Sequence, residues 1–246
     1  MNDHFSIDED SGIPCPAGED NCPNLFEVQK LREEIRQLSA MVRTDELTGL
    51  FNFRYFSQAL SLEMERTRRS GHSVCLIMCD LDHFKDINDL YGHEVGNIVL
   101  THVSRLIKKT IRRLDVPCRY GGEEFALILP DTTLKQGVGF AERLRHIIQE
   151  SPIKAGDVVV GIEASFGVDT YHRGEEISEK KFVERVDAYL YLAKQKGRNI
   201  VCHPDFEKDK AKDKIVSKSI KKKAKVGATS KAKAKAKAKP KPKARS

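Results

Sequence analysis

The sequence predicts an α/β sandwich, with helices packed on an antiparallel or mixed sheet. Two observations carry that expectation. Short apolar runs that suit buried strands alternate with longer stretches whose apolar residues recur at helical spacing. Near the middle, Gly121-Gly122 separates two strand-like segments as a hairpin would. At 246 residues the chain has room for one ordinary domain with extensions, or for two small ones.

Residues 1–23 are polar and contain Gly12, Pro14, Pro16, Gly18 and Pro23, so they read as a flexible leader. Residues 24–43 read as a helix. Val28, Leu31, Ile35, Leu38 and Val42 recur at spacings of 3, 4, 3 and 4, an a/d seam over two heptads. That seam suits either an amphipathic helix lying on its own domain or a short parallel coiled coil, and two heptads alone make a weak dimer. Asp45-Glu46-Leu47-Thr48-Gly49-Leu50-Phe51-Asn52 then interrupts the helix with turn and cap chemistry.

A body over residues 44–204 follows. A helix is expected from about Phe53 to Arg69, a buried strand over Ser73–Cys79, and a loop with a short helix up to Tyr91-Gly92. Next come a helix from about Asn97 to Arg113, the Gly121-Gly122 hairpin with its second strand over Glu124–Leu129, and a helix near Lys135–Glu150. A strand pair around Val158–Thr170, a helix near Glu179–Lys196 and a last strand near Ile200–Cys202 complete the body. Beyond about Pro204 no core is expected. The Lys-Ala alternation from Lys231 to Lys239, followed by Pro240 and Pro242, marks residues 205–246 as a disordered, self-repelling tail.

Charge separates these parts. The whole chain carries +7, but residues 207–246 hold 16 Lys and one Arg against three acids, a net of +14. Removing that from the total leaves −7 for residues 1–206, so the folded body reads as acidic and only the tail invites a polyanion. No apolar stretch approaches the ~20 residues of a membrane span, and the acidic start does not resemble a secretion signal. The expectation is a soluble, cytoplasmic protein. Of the six cysteines, Cys75, Cys79 and Cys118 fall in or beside strands and read as buried thiols. Cys15 and Cys22, each followed by Pro, leave a redox or metal role open, although two cysteines do not complete a zinc site.

The chemistry-bearing residues cluster in two places. Asp80 ends the buried strand, and Leu81 and Asp82 lead into a loop. Carboxylates at a strand end beside a backbone carbonyl suit a hard divalent cation. Loop amides between Asp82 and Lys85 suit phosphate oxygens, with Lys85 as a point charge. Some ~forty residues later, a two-residue Gly-Gly turn with access to positive φ lets a base or ribose approach the backbone and sets Glu123 at the hairpin mouth. That puts Glu123 next to Asp80 if their strands pair. Lys194 and Arg198 are four apart and share one face if their helix persists, and by themselves they suit the dipole of a solvated helix C-terminus. Arg112 and Asp115, three apart, suit a local ion pair.

Five segments together resemble the GGDEF-domain diguanylate cyclase family over roughly residues 44–204. They are Asp45–Asn52, Asp80–Asp89, Gly92-His93-Glu94-Val95-Gly96, Arg119-Tyr120-Gly121-Gly122-Glu123-Glu124-Phe125, and Ala193-Lys194 with Gly197-Arg198-Asn199. The resemblance implies a fold like the nucleotidyl-cyclase core and polymerase palm. It implies one GTP per subunit with Mg²⁺, or Mn²⁺ in its place, and a homodimer that makes cyclic di-GMP and two pyrophosphates. By position it implies metal ligation by Asp80, the Leu81 carbonyl and Glu123, and proton handling by Glu124. Phe84, Lys85, Asn88, Gly122, Lys194 and Arg198 would contact substrate. Arg112 and Asp115, with Arg143 from a neighbouring helix, match a product-inhibition site.

Two positions depart from the family. Phe53 stands where Arg is frequent, and only packing should change. Asn97 stands where the pattern has a guanine-reading carboxylate. Guanine offers two adjacent donors, whereas an amide offers one acceptor and one donor, which suits adenine. The resemblance therefore leaves open a promiscuous enzyme that also makes cyclic AMP–GMP, and a silent cyclic di-GMP effector. The tail suits nucleic acid or another polyanion, or serves only as a solubilising end.

Overall fold

The computed structural model describes residues 27–34, 43–155 and 158–206. The flexible leader, Cys15 and Cys22, the Ile35, Leu38 and Val42 part of the seam, and the tail from Glu207 onward lie outside the described residues. The chain divides into two units between Thr44 and Asp45. In the first, residues 27–34 form helix α1, with Val28 and Leu31 exposed on it.

In the second unit the elements run α2 (Phe53–Ser70), β1 (Val74–Leu81), α3 (Phe84–Tyr91), α4 (His93–Thr110), β2 (Val116–Arg119) and β3 (Glu124–Leu129). Then come α5 (Leu134–Gln149), β4 (Ile153–Ala155), β5 (Val158–Val160), β6 (Ala164–Tyr171), α6 (Glu179–Gln195) and β7 (Val201–Cys202). Five strands form one mixed sheet in the order β2-β3-β1-β6-β7, antiparallel except for the parallel β6–β7 pair. The α/β sandwich expected from the sequence is present.

β1 is buried at every position because both faces of the sheet are covered. Cys75, Ile77, Cys79 and Leu81 enter the core shared with α3, α4 and α5. Val74, Leu76 and Met78 enter the core shared with α2 and α6. Period-two alternation therefore sends Asp80 to the α6 side. At Gly167 of β6, a Cβ would run into the Val186 carbonyl and Leu190 amide of α6. Glycine there lets α6 lie close enough for its last turn to reach the end of β1.

The cap chemistry read in Asp45–Asn52 is present. Asp45 accepts from the Thr48 amide at 2.9 Å and its hydroxyl at 2.6 Å, and Asn52 accepts from the Tyr55 amide at 3.0 Å to open α2.

Four expectations need correction. β5 pairs with β4 in a separate two-stranded ribbon, whereas β6 joins the main sheet, so Val158–Thr170 is not one strand pair. α4 starts at His93, not Asn97; Gly92 at its N-cap has no side chain to signal the start. Two residues past Pro204, Phe206 is still buried against Ala193 and Cys202, so the core continues beyond the expected edge. Lastly, six acids and no Lys or Arg fall in residues 1–23, so of the −7 only −1 belongs to residues 24–206 and the folded body is nearly neutral.

Among the described residues, no helix is long and apolar enough to cross a membrane.

Candidate active site

The site forms where the end of β1 meets the β2–β3 hairpin. Antiparallel register sets Asp80 directly opposite Glu124. The expected strand pairing is present, but the residue facing Asp80 is Glu124. Glu123 comes one step later, where its carbonyl accepts from the Leu81 amide at 3.4 Å. From α6, Lys194 Nζ reaches Asp80 Oδ2 at 2.7 Å. Burial pushes the Asp80 carboxyl above its ordinary value, and the bond to Lys194 works against that rise. Glu124 is also pushed up, first by burial and then by the nearby charge of Asp80, with smaller contributions from Asp187 and Glu123.

This is a corner crowded with negative charge around hard oxygen donors, a donor set that suits a divalent cation. Among the described residues no three His, Cys, Asp or Glu side chains are grouped as a ready-made cage. Two carboxylates and a carbonyl fit a cation that shares its shell with a phosphate.

The hairpin differs from the expected two-residue turn. Arg119 pairs with Phe125, and the Tyr120 and Gly121 amides donate to the Glu124 carbonyl at 2.8 and 3.2 Å, leaving Gly121, Gly122 and Glu123 as the loop. Neither glycine has positive φ. A Cβ at Gly121 would lie 2.6 Å from Glu124 Oε2, so the end of that flexible side chain would have to shift. Gly122 is exposed, and a Cβ would meet nothing within 4 Å, so this face of the loop is open to a ligand.

Arg119 holds the loop through its guanidinium, a bracing role that the sequence reading did not assign to it. Its Nη2 donates to the Gly122 carbonyl at 2.8 Å and its Nε to the Gly121 and Gly122 carbonyls at 3.2 Å. Its Nη1 bonds both Asp45 oxygens, at 3.1 and 3.2 Å. Burial alone would raise the Asp45 carboxyl, but its bonds to Thr48 and Arg119 outweigh burial and hold it below the ordinary value. The available signal was an Arg immediately before the glycine loop; its partner lies 74 residues away in sequence.

Past Leu81, Asp82 is buried, His83 adopts φ 58° and α3 begins. Phe84 is buried, whereas Lys85 is exposed on the first turn of α3. Asn88 is half-buried against α4, where a Cβ on Gly96 would run into its Oδ1. Asn97 is exposed on α4 and lines a cavity of about 520 Å³ with Glu94, Thr101, Arg105, Ile153 and Lys154.

Lys194 and Arg198 do not share a helix face. α6 ends at Gln195, and Gly197 turns the chain at φ 115°, so Arg198 leaves the axis in a left-handed conformation. Both cations still act on the Asp80 carboxyl, each working against the rise that burial imposes, and Arg198 Nε lies 4.0 Å from Asp82 Oδ1.

Arg112 and Asp115 form a local turn. The buried Asp115 carboxylate accepts from the Arg112 backbone amide at 2.7 Å, leaving the Arg112 side chain exposed. No side-chain ion pair joins the two among the described contacts. Burial raises the Asp115 carboxyl above its ordinary value. Arg143 is exposed on α5, with its guanidinium 5.2 Å from the Phe140 ring centroid.

The sequence model of the family described as "Diguanylate cyclase, GGDEF domain" matches residues 42–200. Among curated proteins, the chain is 37% identical over 173 residues to the response regulator PleD of Caulobacter vibrioides, covering 70% of this chain and 38% of PleD. It is 39% identical over 168 residues to diguanylate cyclase A of Treponema denticola, covering 67% and 45%. The chain thus spans less than half the length of these relatives. Among solved structures, it matches the coiled coil and GGDEF domain of DgcB from Caulobacter crescentus in complex with c-di-GMP. That match has a TM-score of 0.63 and 32% identity, and covers 73% of this chain and 95% of that one.

Proposed function

This chain belongs to the GGDEF-domain family, and from that premise we propose that it is a diguanylate cyclase. It condenses two GTP into cyclic di-GMP: each 3′-hydroxyl attacks the other nucleotide's α-phosphate, the bond to pyrophosphate breaks, and two pyrophosphates leave. The observation that supports this best is the Asp80–Glu124 register pair with Lys194 at 2.7 Å from Asp80.

Glu124, its carboxyl raised by its surroundings, takes the hydroxyl proton. Lys194, Arg198 and Lys85 bind the triphosphate, while Gly122 leaves room for the ribose and Asn88, Phe84 and Asn97 border the base. Asp80, the Leu81 carbonyl and Glu123 would hold a divalent cation, Mg²⁺ or Mn²⁺, which would supply neutralisation of phosphate charge. Two subunits face each other in a homodimer, so specific activity rises with protein concentration, and removing residues 1–43 weakens that rise if the Val28–Val42 seam pairs.

Arg112, Asp115 and Arg143 form a product-inhibition site. The exposed Arg112 guanidinium suits the edge of a guanine. Turnover then slows as product accumulates, and Arg112→Ala removes the slowing; an unchanged progress curve would reduce Arg112–Asp115 to a structural turn. The basic tail binds nucleic acid or another polyanion in addition. Binding to DNA over a salt series tests this, and equal binding by the full chain and a form ending at Phe206, which keeps the core intact, rules it out.

The deciding experiment identifies the products that the full chain makes with Mg²⁺ from GTP alone and from a GTP–ATP mixture. Cyclic di-GMP with pyrophosphate is the expected result. Cyclic AMP–GMP from the mixture supports relaxed base choice at Asn97. No pyrophosphate from either overturns the cyclase reading and leaves a cyclic di-GMP effector.

A further inference from the structure

Asp82 has no task in the cyclase reading, yet its side chain is 0% exposed. A buried carboxylate is unfavourable unless its oxygens are satisfied. Both are taken by protein groups from remote parts of the chain. Oδ1 accepts from the Ser165 hydroxyl at 2.7 Å, and Oδ2 accepts from the Asn199 amide at 2.9 Å.

The Asn199 end of this bracket belongs to an unusual turn. Gly197, Arg198 and Asn199 are consecutive and all have positive φ, at 115°, 61° and 45°. Left-handed backbone is disfavoured for the two that carry a Cβ and persists where surrounding bonds over-determine it. Those bonds are present. The Arg198 amide donates to the Ala193 carbonyl at 3.1 Å. The Asn199 side chain donates to Glu163 Oε1 at 3.0 Å and accepts from Arg145 Nη1 at 3.0 Å. The Asp82 amide itself donates to the Glu163 carbonyl at 2.9 Å, closing the network at the residue before β6.

We propose that Asp82 is a positioning residue for nucleotide binding, holding the Gly197–Asn199 turn so that Arg198 presents its guanidinium to the triphosphate. The proposal rests on the cyclase reading of Lys194 and Arg198. It separates two acids that are only two residues apart. Asp80 faces the reacting groups, whereas Asp82, with both oxygens engaged, stays out of the metal shell and acts through the Asn199 amide.

The test compares Asp82→Asn with Asp82→Ala in the full chain. An asparagine keeps an acceptor for the Asn199 amide and offers a donor to the Ser165 hydroxyl, so the bracket survives without its charge. Alanine removes both contacts. Affinities are measured in Mg²⁺ for a non-hydrolysable GTP analogue and for guanosine, together with hydrogen exchange at the Asn199 amide.

Asp82→Ala should bind the triphosphate ~10-fold more weakly, bind guanosine as before, and expose the Asn199 amide to exchange. Asp82→Asn should stay within ~3-fold of the unaltered chain and keep the amide protected. Asp82→Asn as weak as Asp82→Ala, with the amide still protected, would move Asp82 into the metal shell and overturn the proposal. Unchanged triphosphate affinity in Asp82→Ala with an exposed amide would overturn it as well. If the alanine variant does not fold, Ser165→Ala takes its place: a loosened Asn199 amide with selectively weakened triphosphate binding supports the bracket, and unchanged values for both overturn it. Failure of the cyclase reading looks different, since the unaltered chain would then release no pyrophosphate while amide protection still reports on the bracket.

Discussion

The corner where β1 meets the hairpin and the surface carried by α3 and α4 are built in opposite ways. In the corner, carboxylates are buried or half-buried and fixed by sheet register, by Lys194 and by the grip of Arg119 on the loop. On the α3–α4 surface, Lys85 and Asn97 are exposed, Asn88 is half-buried against Gly96, and Phe84 is buried. Groups that stabilise developing charge gain most when they are oriented beforehand, and they bear the cost of burial for it. Groups that choose a base can order as the ligand arrives. Changes in the corner should therefore cost rate, and changes on the surface should alter preference.

The largest effect tests the corner directly. Glu123→Gln keeps the side-chain shape and removes the charge, so GTP turnover should disappear while the melting temperature holds. Steady-state pyrophosphate release decides it. A variant that retains more than about a tenth of the rate has lost under ~1.4 kcal/mol, too little for a metal ligand.

Arg119→Ala should come next, lowering kcat ~10-fold by freeing the loop carbonyls, with ~1–2 kcal/mol less stability on unfolding. Lysine should not rescue it, because a point charge cannot span the loop and Asp45 together. Asp45→Asn should cost less than Arg119→Ala, since the hold on Gly121 and Gly122 remains. The reverse order would mean that the Asp45 link, rather than the loop, is what matters.

A smaller effect concerns pH. Burial and neighbouring carboxylates raise the Glu124 carboxyl above its ordinary value. If Glu124 must be ionised to accept a proton, the acidic limb of kcat/KM lies above the ordinary glutamate value of 4.5. Asp187 is one of the repelling charges. Removing it with Asp187→Asn favours the ionised form, lowers the pKa and should move the limb to lower pH. The nucleotide's own titration is common to both enzymes and cancels in the comparison. A limb that does not move would separate Glu124 from proton handling.

The corner was largely legible in the sequence because its signals are local. An apolar run ending in Asp80 marks a buried strand end, and a glycine pair between strands marks a hairpin. The residues that brace it were not legible. Asp82 is held by residues 83 and 117 positions away, and Arg119 by one 74 positions away, separations that no local pattern encodes. Gly121 also misled: the sequence suggests conformational freedom, whereas φ there is not positive and a Cβ would displace only the end of the Glu124 side chain. Valine-rich β5 read as one half of a strand pair over Val158–Thr170, although it pairs with β4, because apolar strand patterns do not name their partner.

The smallest expected effect is the one most specific to the α3–α4 surface. Asn97→Asp restores a carboxylate that accepts from both guanine N1–H and the N2 amine, where the amide accepts from one and presents a donor to the other. A bidentate base contact is worth ~1–3 kcal/mol of discrimination, so the GTP/ATP preference should rise by about tenfold or somewhat more. Because Asn97 is exposed and lies outside the Asp80–Glu124–Lys194 cluster, kcat for GTP alone should change little. Competition between the two nucleotides, read as the ratio of mixed to symmetric dinucleotide, measures the shift. An unchanged ratio would assign base choice to Asn88 and its packing on Gly96. A large fall in kcat would show instead that the surface is coupled to the corner, and that recognition and chemistry are not built as separately as their burial suggests.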